Sequence, residues 1–176
     1  LFSYFLNNAE GVLDAHGGTD IFQMAPARVE ITTGADQLRC MRLTEGGLHR
    51  WYVDCCKTPV GNTMATRQLP FVGLIHAFMD HDADGRSRDD ALGPVRFRVM
   101  GRFATGDQSK LEAHDSRPPS LLPRLLSLWF MARLRGEHEP SPFFDATTGA
   151  MTVTPRVLTD QERNAVIKAR TTSETS

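Results

Sequence analysis

The sequence predicts a mainly β core with helices appended toward the C-terminus, an α+β chain overall, and three observations carry that prediction. From Thr19 to about Leu74, short alternating runs are separated by glycine-containing breaks, the pattern of a strand meander. Leu121 to Arg135 is dense in leucine, carries Trp129 and Phe130, and closes at Gly136, the pattern of an apolar helix with a glycine stop. Thr159 followed three residues later by Glu162 forms a capping box that opens a last helix reaching about Arg170. With 176 residues, 40% of them apolar and 23% charged, the chain can bury one good core, and its composition is not that of a disordered protein. It therefore reads as a single domain over 1–176, with a β core at about 14–104 and a helical part at about 117–172.

Taken in order, residues 1–13 alternate loosely and predict a short helix ending near Gly11, followed by the turn His16-Gly17-Gly18. Ala27 to Thr32, Leu38 to Leu43 and Leu48 to Val53 then alternate as strands, with Gly34-Ala35-Asp36 and Glu45-Gly46-Gly47 as turn sequences between them. The run from Pro70 to Asp80 reads as a further strand, and the polar stretch from Asp80 to Asp90 as a loop. Val95, Phe97 and Val99 on one face, with Arg96 and Arg98 on the other, predict another strand. Ser120 is placed to cap the apolar helix. The apolar density of that helix favours burial in the core or at a dimer interface over a membrane surface.

Charge excludes some functions. The formal net charge is −1, so no global polyanion-binding role follows. It is unevenly spread: residues 1–85 carry 6 basic and 10 acidic side chains, 86–136 carry 10 and 5, and 137–176 carry 4 and 6. A solvated basic face is the plain reading of the middle section, and the Arg96, Arg98 and Arg102 set is read the same way, ahead of a phosphate or carboxylate contact. No run reaches the ~18–20 apolar residues of a membrane span. Neither nucleic acid nor membrane is expected as a partner, and a homo-oligomer is left open. The opening LFSYFLNNAEG lacks a basic region and a long apolar stretch, so it is not read as a signal peptide. The first residue is Leu, and the chain is expected to be processed or truncated, with a cytoplasmic location.

Three cysteines, Cys40, Cys55 and Cys56, are too few and too close to make a disulfide framework. Reduced thiols or metal ligands fit better. In His49 to Thr63 a strand runs into a turn with two thiols, and Pro59 and Gly61 then redirect the chain. Thiolates at such a turn can hold zinc, with backbone N–H groups stabilising their charge. Two thiols do not complete a tetrahedral site, so read from the residues alone buried structural cysteines are favoured over metal ligands. Asp80, Asp82, Asp84 and Gly85 match the start of a calcium loop, but position 12 is Ala91, so an acidic solvent loop is favoured. His76 and His81 with Asp80 or Asp82 form a weaker metal candidate. His16, Gly17, Gly18 and Asp20, together with Asn62 and Thr63, are candidates for a ligand pocket, since glycines let a ligand approach the backbone closely. A tight turn is the alternative for the first group.

The run RWYVDCCKTPVGNT, Arg50 to Thr63, resembles the closing motif of the glutathione-dependent formaldehyde-activating enzyme and centromere protein V family, R-aromatic-F-C-x-x-C-G-T-P-L. With Thr58-Pro59-Val60 on T-P-L, Cys56 falls on the second cysteine, Lys57 on the glycine and Val53 on the first cysteine, and Cys55 is an added thiol. A sub-group of that family is similar over nearly the whole chain, through LDAHGGTDIFQ (Leu13 to Gln23), CCKTPVGNT, PFVGLIHAF (Pro70 to Phe78) and SPFFDATTGAMTVTPRVLT (Ser141 to Thr159). The resemblance implies a β-tent-like fold and a zinc cofactor. It also implies a C-x-C-x-x-C segment immediately before residue 1 supplying the main ligands, with Leu1 to Leu6 in the aromatic-rich helix that follows it. The activity it implies is of the carbon–sulfur lyase type, on a thiol adduct or an aldehyde, when those cysteines are present; without them no such catalysis is expected. Two alternatives stand beside it: a non-catalytic zinc-binding or interaction module, and a metal-free small-ligand binder using the His16–Asp20 turn and the arginine strand.

Overall fold

The computed structural model describes residues 1–80, 85–109 and 111–173. His81, Asp82 and Asp84 of the acidic loop, and the end of the C-terminal tail, lie outside the described residues. The chain is α+β with a sheet at its centre. Among the described residues six strands, β1 (Ile21–Met24), β2 (Leu38–Arg42), β3 (His49–Val53), β4 (Pro59–Thr63), β5 (Val72–Ile75) and β6 (Arg156–Val157), lie in the order β1-β5-β4-β3-β2-β6. All neighbours are antiparallel except β2 and β6, which run parallel. The middle of the sheet is thus the expected meander, and its last strand is delivered by the C-terminal part of the chain.

Both faces of the sheet are covered, and strand alternation decides which side chain serves which face. Cys40 and Trp51 pair across β2 and β3 and point into a cluster with Leu38, Val72, Phe143 and Phe144. Their chain neighbours Met41 and Tyr52 point the other way, into a cluster with Phe2, Leu6, Ile75 and Leu158. The first face is closed by the segment around Phe143 to Val153 and the second by α1 (Phe2–Phe5) and the residue that leads into α4 (Asp160–Ser173). Trp51 is fully buried against Phe143, ring centroids 4.8 Å apart, and its indole N–H donates to Thr63 Oγ1 at 2.9 Å, as a buried indole requires. Gly61 is fixed by close packing, because a Cβ there would sit 2.6 Å from the carbonyl oxygen of Gly73 on β5.

Several elements depart from expectation. The first helix spans only Phe2–Phe5, and Asn7 at φ 53 turns the chain out of it. Ala27 to Thr32 joins no strand: a short 3-10 turn, Pro26–Arg28, starts it, and Val29 and Ile31 pack on the Trp51 cluster from outside the sheet. The run Val95 to Val99 is not a strand either. Among the described residues it makes a single bridge, Val99 to His114, and Val95 and Val99 are exposed. Alternation is present there, but among the described residues no neighbouring strand offers it a ladder. The acidic loop is followed by α2 (Arg88–Leu92), capped by Ser87 and Asp90 in a reciprocal capping box. The apolar helix, α3 (Leu121–Leu134), forms as predicted and stops before Gly136 at φ 70. Ser120 makes no cap hydrogen bond, being itself in helical conformation. Only Ala132 of α3 is buried, so the expected burial of this helix does not occur within the chain.

Candidate functional site

The β3–β4 turn gathers the chemistry. Val53 N–H donates to Thr58 O at 2.9 Å and closes the turn, and Asp54 N–H donates to Gln37 O at 2.8 Å and ties it to the start of β2. The pairing of β3 with β4 slips between Trp51 and Tyr52, so that Val60 is bulged and Pro59 faces Tyr52. A bulge twists and re-aims the strand end and tolerates proline. Lys57 adopts φ 56, a left-handed conformation that costs a side-chain-bearing residue and is glycine's by preference. The ion pairs around Asp54 hold Lys57 there: Lys57 Nζ lies 2.5 Å from Asp54 Oδ1, and Arg39 Nε lies 3.4 Å from Asp54 Oδ2. The hydrogen bond and charge of Lys57 keep the Asp54 carboxyl below its usual range, and those of Asp54 raise the Lys57 ammonium above its own.

At the tip, Cys55 and Cys56 are free and exposed, whereas Cys40 is free and buried. Cys56 Sγ lies 3.1 Å from Thr58 Oγ1. Its thiol is lowered from the ordinary value, first by the Thr58 hydroxyl, then by the Thr58 backbone N–H, with the Cys55 thiol contributing as a further hydrogen-bond donor. Oriented N–H and O–H groups around a sulfur favour the thiolate, the form that binds metal and attacks electrophiles. Cys40 is the opposite case. Burial pushes its thiol up to about 12, so it stays protonated and serves as core packing. The reading of the turn pair as buried structural cysteines is corrected: Cys55 and Cys56 are exposed at the tip of a turn that reaches solvent, and the buried cysteine is Cys40 in β2.

The proposed pocket residues fall in two places. Asp14 accepts from the N–H groups of His16 and Gly18, at 2.9 and 2.8 Å, and so shapes the His16-Gly17-Gly18 turn. His16 Nδ1 is 3.3 Å from Thr105 O. Asp20 is held by a forked contact from Arg88, Nε to Oδ2 at 2.9 Å and Nη2 to Oδ1 at 3.0 Å, and its Oδ2 lies 3.6 Å from His76 Nδ1. The partners raise the Arg88 guanidinium above its usual value, Asp20 most of all. Asn62 and Thr63, by contrast, are buried in β4, where Asn62 Oδ1 accepts from Arg50 at 3.2 Å and Thr63 accepts from Trp51. These hydrogen bonds and ion pairs of the two sets share no residue. The sequence pattern does not point to Arg88, whose link to Asp20 spans 68 residues.

Two open clefts lie elsewhere. One, of ≈440 Å³, is walled by Val95, Phe97, Arg96 and Arg98 on one side and Glu112 and His114 on the other. The second, of ≈400 Å³, runs between Val29, Ile31 and the sheet residues Val60 and Leu74. Among the described residues no three His, Cys, Asp or Glu side chains converge as a metal-holding group. The two turn thiols by themselves do not complete a tetrahedral zinc site, which takes four donors. No helix among the described residues is long and apolar enough to cross a membrane. The sequence profile of a family of unknown function (DUF6151) matches residues 1–153. No curated protein and no solved structure matches the chain.

Proposed function

We propose that this chain, which belongs to that family of unknown function (DUF6151), is a zinc-binding protein related to the formaldehyde-activating enzymes, with Cys55 and Cys56 as thiolate ligands. One observation carries the reading: the Cys56 sulfur is held by the hydroxyl and N–H of Thr58 with the Cys55 thiol beside it, on an exposed turn. That is a soft, hydrogen-bonded donor pair suited to zinc. The conformation of Lys57 adds support. The residue stands where the related motif has glycine, and its φ of 56 is one that glycine adopts freely. The β-tent architecture belongs to the same proposal, as does a cytoplasmic location, which free exposed thiols favour.

The remaining ligands would come from a cysteine segment preceding Leu1, and an open position on the metal would then serve a thiol adduct or an aldehyde. Zinc bound there supplies Lewis-acid polarisation. The chain's own part is to hold the two sulfurs at the turn and to favour the thiolate form of Cys56 through Thr58. The experiment is zinc content per chain by elemental analysis, with cobalt substitution to report thiolate coordination. Stoichiometric zinc in the protein carrying its native upstream segment, reduced in Cys55→Ser/Cys56→Ser together with the thiolate-to-cobalt absorption, is the expected result. Zinc content indifferent to both cysteines, or no zinc at all, overturns the assignment.

A further inference from the structure

The helix α3 is the largest unexplained feature of the surface. Its inner seam is Leu121, Leu125, Trp129 and Ala132, spaced at three and four residues, and this side lies against the body of the protein; Trp129 packs edge-on to Phe71 at 6.2 Å. Half a turn away lies a second apolar seam, Leu126, Phe130 and Leu134, with exposures of 51%, 63% and 65%. Met131 joins it. At 100° per residue Arg133 stands on one side of this outer seam, and Arg124 and Arg135 on the other. From Ser116 to Gly136 the chain carries four arginines and no acidic residue. Arg124, Arg133 and Arg135 are exposed and make no ion pair among the described residues.

We infer that α3 is a docking surface for an anionic lipid bilayer, lying in the plane of the interface with its outer seam among the acyl chains. The charge pattern selects this occupant. An apolar face flanked on both sides by arginine, without acidic residues, matches a layer of negative headgroups above hydrocarbon; the guanidinium groups reach up to phosphate while their stems cover apolar surface. A second copy fits worse. Antiparallel self-pairing of the outer seam about Phe130 sets Leu126 against Leu134 and Arg124 opposite Gly136, next to Arg135 of the other copy, and the helix offers no carboxylate to either arginine. A nucleic acid would use the arginines and leave the leucine and phenylalanine seam in water. The inference is independent of the zinc reading, and it revises the expectation that no membrane is involved, which rested on the lack of an apolar run long enough to span and on the helix being buried in the core or at a dimer interface.

The test is co-sedimentation of the purified protein with vesicles of phosphatidylcholine alone and of phosphatidylcholine mixed with phosphatidylserine. Binding to the mixed vesicles only, weakening as salt is raised, is expected. Arg124→Gln/Arg133→Gln/Arg135→Gln should lower affinity about fivefold per arginine, roughly a hundredfold together, and Leu126→Ser/Phe130→Ser/Leu134→Ser should abolish it. The six positions are exposed, so folding checked by circular dichroism should be unchanged, and the salt dependence of the unaltered protein tests the inference without any substitution. Failure to bind the mixed vesicles, or equal binding to both lipids, overturns the inference. So does a concentration-dependent dimer dispersed by Phe130→Ser, which would assign the face to a second copy.

Discussion

Three cysteines in one small chain show how far environment governs a residue. Cys40 sits between Leu38 and the Trp51 ring system, and burial keeps its proton on. Cys56 meets donors from Thr58 and loses its proton more readily than an ordinary thiol. Because the thiolate is the reactive form, a lowered value brings alkylation on at lower pH. The rate of iodoacetamide modification at Cys56, followed by peptide mass spectrometry, should rise through a midpoint below the ~8.5 of a free cysteine. Thr58→Val removes the hydroxyl donor and keeps the N–H, so the midpoint should move part of the way back up. Cys40 should stay unmodified until the protein unfolds. A Cys56 midpoint unmoved by Thr58→Val would remove the hydrogen bond as the cause.

At the scale of elements, α4 begins with a reciprocal cap. Glu162 N–H donates to Thr159 Oγ1 at 3.2 Å, while Thr159 N–H and hydroxyl both donate to Glu162 Oε2 at 3.0 Å. These bonds and Arg156 beside it lower the Glu162 carboxyl. Thr159→Ala should cost about 1 kcal/mol, read as a shift of the urea midpoint at constant slope. This cap is legible in the sequence, because its partners are three residues apart and need no tertiary structure. So are β2, β3, β5 and the span of α3, where a repeat or a glycine stop lies within the element. The run Val95 to Val99 has the same alternation and is not a strand. Periodicity states which face of a segment would be buried, and it does not supply the neighbour a strand must bond. The exposed thiol turn is legible as a motif. The Asp20–Arg88 clamp is not, because long-range ion pairs leave no local pattern.

The whole molecule is organised by a sheet that is buried on both faces and closed from both ends of the chain. Leu158 follows β6, is 4% exposed, and packs with Phe2 and Leu6 from the opposite terminus. Its N–H donates to Arg42 O at 3.0 Å, which continues the junction with β2. Leu158→Ala should therefore cost about 2–5 kcal/mol. Hydrogen exchange should show the loss spreading to α1 as well as to β6, since Leu158 directly follows β6 and shares one cluster with Phe2 and Leu6. Exchange confined to residues near 158 would mean that the two termini are not energetically joined. A small domain has only some 5–15 kcal/mol to lose, so the chain's last strand matters to its first helix.

The two tryptophans of the sequence occupy unlike surroundings. Trp51 is sealed in the sheet with its N–H bonded to Thr63, and Trp129 is half-covered on α3 beside Phe71. An indole's emission colour follows the polarity and mobility around it, so the molecule carries two optical reporters. Phe replacing Trp129 would leave a fluorophore that watches only the integrity of the core. Phe replacing Trp51 would leave one that watches the surface helix, and each could be read without attaching a dye.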